Sequence, residues 1–421
     1  MKMLFKNCLL GLDEYRETHD ISVCDGVIAT IGKELPPTGF DLVFEFDNCF
    51  VFPGFADLHV HFREPGFSYK ETIYSGSRAA ARGGFTAVCT MPNLDPVPDC
   101  PKNIKLQQDI IDRDSVIAVY PIGSITVGQK GRGTLCDYKA LLPYTHIFSD
   151  DGRGVQSDEL MEEAMLAVKQ AGGIITAHCE DESLLKKGGC AHDGDFAEKY
   201  GLVGINSRSE WGQVERDLKL VERTGCRYHV CHISTRQSVE LIREAKRRGL
   251  PVSCETAPHY LWFSDDMLKN DGRFKMNPPI RTEDDKNALI EGIKDGTIDV
   301  IATDHAPHAL SEKSGGFENS LFGVVGLETS FAACYTALVK TGIISIGRLI
   351  ELMSINPRRI FGLEPAEVIK GASANFTVAD INKSCVVDPS EFRSMGRSTP
   401  FEGQRLYGSI ETTVYKGVKV W

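Results

Sequence analysis

The chain has 421 residues, enough to bury a large core in one big domain with an appendage, or in two or three domains. It is 42% hydrophobic and 25% charged, as in an ordinary soluble globular protein, and its net charge of −11 speaks against nucleic acid as a partner, which needs a basic surface. No apolar run reaches the roughly 18 residues of a membrane span. The start, Met1 to Lys6, soon meets Asn7, Asp13 and Glu14 and makes no convincing signal peptide. Thirteen cysteines, without a Cys-x-x-Cys pair, favour reduced thiols in a cytoplasmic chain over a disulfide scaffold.

Residues 1–52 carry short alternating runs such as Asp20 to Cys24, which predict strands joined by turns. From 53 to 364, β-rich runs alternate with helical patterns. The predicted strands end near His61, Met91, Ile125, Asp151, His178, His232, Thr256 and Asp304. Helices are predicted over Glu71–Arg82, Ser157–Ala171, Ser209–Thr224, Thr235–Arg248 and Glu283–Asp295, with glycines at 83–84, 172–173 and 249 where helices should stop. Eight strand–helix units fit a (β/α)8 TIM-like barrel, whose active site lies at the C-terminal ends of its strands. A doubly wound open sheet is the alternative, but it would need a Gly-rich phosphate loop that is not found. The segment Lys186–Gly204 reads as a long connection after the fifth strand, and Ala309–Gly316 as a mobile loop after the eighth. Residues 365–421 return to alternation, as in Thr412 to Val420, so the two chain ends are expected to form one small β-sandwich beside the barrel.

Polar residues that can bind metal recur at the predicted strand ends. His59 and His61 are two apart, so a strand projects both imidazoles to one face. Asp151, His178, His232 and Asp304 close the fourth, fifth, sixth and eighth strands. Each alone reads equally well as a capping or loop group, but a barrel gathers such positions in one cup. Four imidazoles and two carboxylates can hold two divalent ions with one carboxylate shared. Nitrogen and oxygen ligands without thiolates favour Zn²⁺, with Mn²⁺ or Co²⁺ as alternatives. Asp150 is expected to be structural, because only one of two adjacent aspartates can point inward. His229, Cys179 and Cys231 are expected to face away from the cup, and His259 and His305 to flank it.

The motifs His59-Val-His-Phe-Arg-Glu-Pro-Gly66, Met91-Pro-Asn93, Ser149-Asp-Asp-Gly152, Ala177-His-Cys-Glu180, Cys231-His-Ile-Ser-Thr235, Glu255-Thr-Ala-Pro-His259, Met276-Asn-Pro-Pro-Ile-Arg281, Ala302-Thr-Asp-His-Ala-Pro-His308 and Phe322-Gly323 run in order along nearly the whole chain. In these the chain resembles the amidohydrolase superfamily, and within it the class I bacterial dihydroorotases. Phe62, Leu94, Tyr260 and Asn375 depart mildly from that pattern, and none is an expected ligand. The resemblance implies reversible conversion of N-carbamoyl-L-aspartate and (S)-dihydroorotate, the third step of de novo pyrimidine synthesis. It implies two zinc ions per subunit: His59, His61 and Asp304 on one, His178 and His232 on the other, Asp151 bridging. Many relatives bridge instead with a carbamylated lysine, and the aspartate here favours a dihydroorotase over hydantoinases and allantoinases. Asp304 is then also the general base and acid. Arg63 is expected to grip the substrate carboxylate with its planar fork, and the resemblance adds His61, Asn93 and His308, with Asn277, Phe322 and Gly323 around the ring. It leaves open a homodimer, an association with a carbamoyltransferase, or a non-catalytic partner of one.

Overall fold

A computed structural model describes residues 1–11 and 17–421. Asp13 and Glu14, which bear on the N-terminal reading above, lie outside the described residues. Eight parallel strands occupy the middle of the chain: Phe55–Val60, Phe85–Thr90, Ala118–Pro121 with its continuation Gly123–Ser124, Ile147–Ser149, Ile174–Ala177, Tyr228–Val230, Val252–Thr256 and Val300–Ile301. Each pairs with the next. The third strand bends at Ile122, its first half pairing with the second strand and its last two residues with the fourth. The ring closes where Val60 bridges to His305 and the His61 N–H donates to the His305 carbonyl at 2.8 Å.

Helices fill the gaps at the positions their signals predict. Ile73–Arg82 is capped by Thr72 and Glu283–Lys294 by Thr282, each in a reciprocal capping box. Asp158–Gln170 and Arg236–Arg247 start at Ser157 and Thr235, whose hydroxyls accept from a backbone N–H three residues on. Inside the barrel, Leu58, Cys89, Ile122, Ile147, Ile174, Val300 and Phe361 form a closed apolar floor under the strand ends that carry the polar residues. Arg358, buried beneath, donates to the carbonyl of Gly54 and the hydroxyl of Thr86, tying the last helix of the barrel to the start of its first strand.

The two chain ends form one seven-stranded mixed sheet in the order 418–419, 405–415, 376–386, 42–53, 2–10, 17–24, 27–32. Its far edge curls back onto residues 371–374: Ile28 N–H donates to the Ala372 carbonyl at 2.9 Å and Gly371 N–H to the Ile28 carbonyl at 2.8 Å. That return makes the sheet sandwich-like, wrapped around Met3, Phe5, Ile21, Val23, Val51, Phe376 and Val414. The alternating run Thr412–Val420 is broken by a hairpin at Lys416 and Gly417, both left-handed at φ 47° and 71°. Strand 42–53 passes straight into the first barrel strand through Gly54, where a Cβ would lie 2.3 Å from the Thr86 hydroxyl. Phe52 from the sheet and Phe55 from the barrel both pack on Phe331, and Phe85 meets Phe55 edge-on, joining the two layers.

Two expected connections have more structure than the sequence indicated. The segment expected over 186–204 folds, with Ile205 added, as a parallel strand pair, Gly189–His192 with Val203–Ile205, linked by helix Asp195–Tyr200. Residues 309–316 fall in two short helices, Leu310–Lys313 and Gly316–Asn319. They are anchored: Glu312 pairs with Lys70 at 3.0 Å, and buried Lys313 donates to the carbonyls of Lys275 and Leu321 at 3.0 and 2.7 Å. Among the described residues no helix is long and apolar enough to cross a membrane.

Candidate metal centre

The barrel brings His59, His61, Asp151, His178, His232 and Asp304 together at the C-terminal ends of five strands, and all six are buried. His61 and His178 stand one residue past their strands, Asp151 and His232 two past, and Asp304 three past. His232 and Asp304 take left-handed backbone, at φ 30° and 48°, as does Arg63 at 60°. Non-glycine residues seldom do so, and such strain gathers at functional sites. Here the turn aims each side chain into the cup where the extended strand has ended.

His59 Nε2 lies 3.3 Å from the Asp151 carboxylate and 3.6 Å from that of Asp304. His61 Nε2 lies 3.6 and 3.3 Å from the same two groups. On the other side of Asp151, His178 Nδ1 and His232 Nε2 are 3.0 Å apart and 3.9 and 3.7 Å from its Oδ1. Two groups of ligand atoms result, each within 4.8 Å: His59, His61 and Asp151, and Asp151, His178 and His232. Asp151 belongs to both.

The charges in the cluster are tightly coupled. Burial alone would lower the His59 pKa, yet the Asp151 carboxylate holds it well above the ordinary imidazole value. Burial would raise Asp151, but the surrounding histidines, His59 foremost, hold it well below the carboxylate range. Asp304 is likewise pulled down to about 2 against its burial, by the hydrogen bond to His61 and the charge of His59. The cluster therefore draws positive charge to its centre. His59 Nε2 and Asp151 Oδ1 are buried, face one another and have no hydrogen-bond partner. Such unpartnered buried atoms fit a divalent cation between them, with the ligand types that bind one.

Asp150, next to the shared carboxylate, is structural as expected. It accepts from Ile125 N–H at 2.8 Å, Thr126 N–H at 3.1 Å, Gly131 N–H at 3.0 Å and the Ser124 hydroxyl at 2.8 Å. His229 does not face away as expected: it points into the barrel interior beneath the cup, fully buried against Glu255 and the floor residue Phe361. Cys179 packs away, beside Tyr228 and Asp217. Cys231 does not: its sulfur lies in the barrel interior, near His59 and Glu255. The expected alternation fails because the strand stops at Val230 and His232 turns left-handed.

The residues expected around the substrate lie on the loops that rim the cup. Arg63 donates its Nε–H to the Pro307 carbonyl at 3.2 Å, leaving the Nη atoms outside that bond. Asn93 donates to the Asp151 carbonyl at 2.9 Å, and Asn277 to Glu180 at 3.1 Å; the amide oxygen of each is buried without a partner. His308 is more committed than expected, with Nε2 on the Phe322 carbonyl at 2.7 Å and Nδ1 beside Lys70 Nζ at 3.2 Å. Burial and the neighbouring Arg63 and Lys70 charges push its pKa down to about 3, so it is neutral here. Gly323 N–H donates to the Lys275 carbonyl at 3.1 Å.

Three carboxylates beside the cluster, Asp57 and Glu255 fully buried and Glu180 partly, were not singled out from sequence. Glu255 meets His59 Nδ1 at 2.9 Å; Glu180 meets His178 Nε2 at 3.4 Å; Asp57 accepts from the backbone N–H of His59 at 3.0 Å and from Thr303. The available signal was an acidic residue inside an apolar strand, as in Phe55-Ala-Asp and Cys254-Glu.

Comparison with known proteins agrees with this geometry. A family model described as dihydro-orotase-like matches residues 49–238. A dihydroorotase of Fusobacterium nucleatum subsp. nucleatum is 47% identical over 416 residues, 99% of this chain and 97% of that protein. One of Anoxybacillus flavithermus is 46% identical over 425 residues, covering 100% and 99%. Among solved structures, the L-hydantoinase (dihydropyrimidinase) of Arthrobacter aurescens matches with a TM-score of 0.88 at 25% identity, over 99% of this chain and 95% of that one. A D-hydantoinase matches at 0.86 and 22% identity over 100% and 95%, which shows the shared barrel fold. With nearly half its residues identical to those proteins from end to end, this chain belongs to the dihydroorotase family of the amidohydrolase superfamily.

Proposed function

We propose that the protein is a zinc-dependent dihydroorotase that interconverts N-carbamoyl-L-aspartate and (S)-dihydroorotate plus water, in the cytoplasm and in the service of pyrimidine synthesis. The observation that carries this reading is the pair of ligand groups sharing Asp151 at the mouth of the barrel. His59, His61 and Asp304 would hold one ion and His178 and His232 the other, with the Asp151 carboxylate available to both. Bound there, zinc supplies Lewis acidity for the amide carbonyl and lowers the pKa of water from about 16 toward about 7.

The side chains do the rest. Asp304, ionised in its cationic surroundings, takes the proton of the attacking water on its carboxylate and delivers it to the leaving ring nitrogen; in ring closure the roles reverse. Arg63, fixed through its Nε–H, offers its Nη atoms to the substrate carboxylate. Asn93 and Asn277 present amide oxygens without partners, suited to ring N–H groups. His308 joins the carboxylate grip with its Nε2–H, by giving up the Phe322 carbonyl. Opening the neutral ring amide creates a second carboxylate and releases a proton, so alkaline conditions favour hydrolysis.

The test combines elemental analysis with a dihydroorotate ring-opening assay run beside hydantoin and allantoin. About two zinc ions per chain and turnover of dihydroorotate alone are expected. At most one ion in metal-replete protein would remove the two-ion centre, and preferred turnover of hydantoin would move the substrate assignment.

A further inference from the structure

Beneath the ligand atoms runs a line of polar side chains for which the mechanism above has no use. Ser253 Oγ is 2.8 Å from His229 Nδ1, His229 Nε2 is 3.2 Å from one oxygen of Glu255, and the other oxygen is 2.9 Å from His59 Nδ1. His229, Glu255 and His59 have no exposed surface at all. They come from the sixth, seventh and first strands, so Glu255 reaches across the barrel interior to make this contact. Apolar groups pack around the line, with the Phe361 ring edge-on to His229 at 5.2 Å.

A carboxylate only accepts hydrogen bonds, so both ring nitrogens that face Glu255 carry hydrogen. His229 then accepts at Nδ1 from the Ser253 hydroxyl, and every polar atom of the line except His59 Nε2 has a partner. The consequence for His59 is directional. Its Nδ1–H is committed to Glu255, which leaves Nε2, facing Asp151 and Asp304, as the atom for an ion. The other histidine of this ligand group lacks such support, since His61 Nδ1 is buried without a partner.

We propose that Glu255, itself held by His229, is a positioning residue for metal binding: it fixes the tautomer and ring plane of His59 so that Nε2 is presented to the cation. A carboxylate behind a ligating imidazole also makes that imidazole a stronger donor. The proposal rests on the metal reading above and adds a residue to it.

Glu255→Gln tests it at nearly constant shape. A glutamine accepts on one side and donates on the other, so it cannot hold two imidazole N–H groups at once. Either His59 or His229 must change tautomer, and the His59 alternative places a hydrogen on Nε2. The full chain is stripped with a chelator, and Zn²⁺ affinity is read by competition with a chromophoric chelator at pH 7.5. Co²⁺ absorption reports the ligand field, and melting of the metal-free protein reports the fold. Glu255→Gln is expected to bind Zn²⁺ about 10- to 100-fold more weakly and to shift the Co²⁺ spectrum, while its metal-free melting stays near wild type. His229→Gln, which leaves the carboxylate but loosens its anchor, should weaken Zn²⁺ in the same direction and by less. Zn²⁺ affinity within about threefold of wild type in Glu255→Gln, against the loss expected for such a support, overturns the proposal. Should Glu255→Gln not fold, the same criterion applied to His229→Gln decides. Wild-type chain that binds no divalent ion overturns both the metal reading and this one, whereas wild-type binding matched by the variant overturns this one alone.

Discussion

Replacing Arg63 by lysine separates substrate binding from chemistry. Arg63 is left-handed at φ 60° and donates Nε–H to the Pro307 carbonyl at 3.2 Å, so its guanidinium is fixed before substrate arrives and only the Nη atoms remain for the carboxylate. Burial pushes its pKa down to about 10, which still leaves it fully cationic at neutral pH. A lysine has no second branch with which to hold Pro307, and its point charge cannot reproduce a fork. The variant therefore loses one charge-assisted hydrogen bond, worth about 1.5–3 kcal/mol. At about 1.4 kcal/mol per decade, KM should rise about 10- to 150-fold. The carboxylate is remote from the scissile amide and is held equally in ground and transition states, so kcat should stay within about threefold. Steady-state ring opening of dihydroorotate, followed at pH 8 with metal content verified, reads both constants. An unchanged KM would remove Arg63 from the site, and a collapse of kcat at constant KM would assign it to the chemistry.

Asp304→Asn keeps the size of the side chain and one coordinating oxygen but cannot accept a proton; kcat should fall by about 10² to 10⁴ in both directions in samples matched to wild type for zinc. A matched variant whose loss stays below about tenfold, outside that range, would make Asp304 a ligand only. His192 accepts from Arg281 at 3.2 Å, and burial together with that cation lowers its pKa from 6.5 to about 4. The unfolded chain therefore binds the extra proton between those values, and stability is lost as pH falls from 6.5 toward 4. His192→Gln should flatten that part of the profile, read as urea midpoints at pH 7 and 4.5; an equal loss in both proteins would contradict it. In the proposed centre the shared group is the Asp151 carboxylate, so zinc reconstitution of metal-free protein should proceed equally with and without added bicarbonate, and a bicarbonate requirement would show that a carbamylated lysine takes part.

The candidate ligand set was legible in the sequence for one reason: a parallel barrel turns strand ends into neighbours, so His59, His61, Asp151, His178, His232 and Asp304 needed only their place at the ends of apolar runs. Helix limits were legible because Thr72, Ser157, Thr235 and Thr282 cap locally. What escaped depends on contacts between distant segments or on backbone that leaves the strand. Cys231 was expected to face outward because alternation was carried one residue beyond Val230, where the strand ends. The strand pair at 189–205 was read as a connection because each strand has only three or four residues, too short for a periodicity signal. The docking of residues 309–316 rests on Lys313 reaching backbone carbonyls, and carbonyls leave no mark on a residue pattern.

The buried acids beside the ligands belong to the same class and explain how the cup keeps its shape. Past the end of each strand the ladder stops, and buried backbone N–H groups need other acceptors. Asp57 takes those of His59 and Thr303, lashing the first strand to the turn that precedes Asp304. Asp150 takes three from residues 125–131, fixing the turn that carries Asp151. Glu210 takes those of Ser234 and Thr235 at 3.0 and 3.1 Å, just beyond His232. Left-handed backbone at His232 and Asp304 costs on the order of 1–3 kcal/mol each and persists only where the surroundings over-determine it. These carboxylates supply that constraint. Placement of the candidate ligands in this barrel is thus set by acids outside that set: Asp57 and Asp150 lie within two residues of a candidate ligand, and Glu210 holds from a helix the turn just beyond His232.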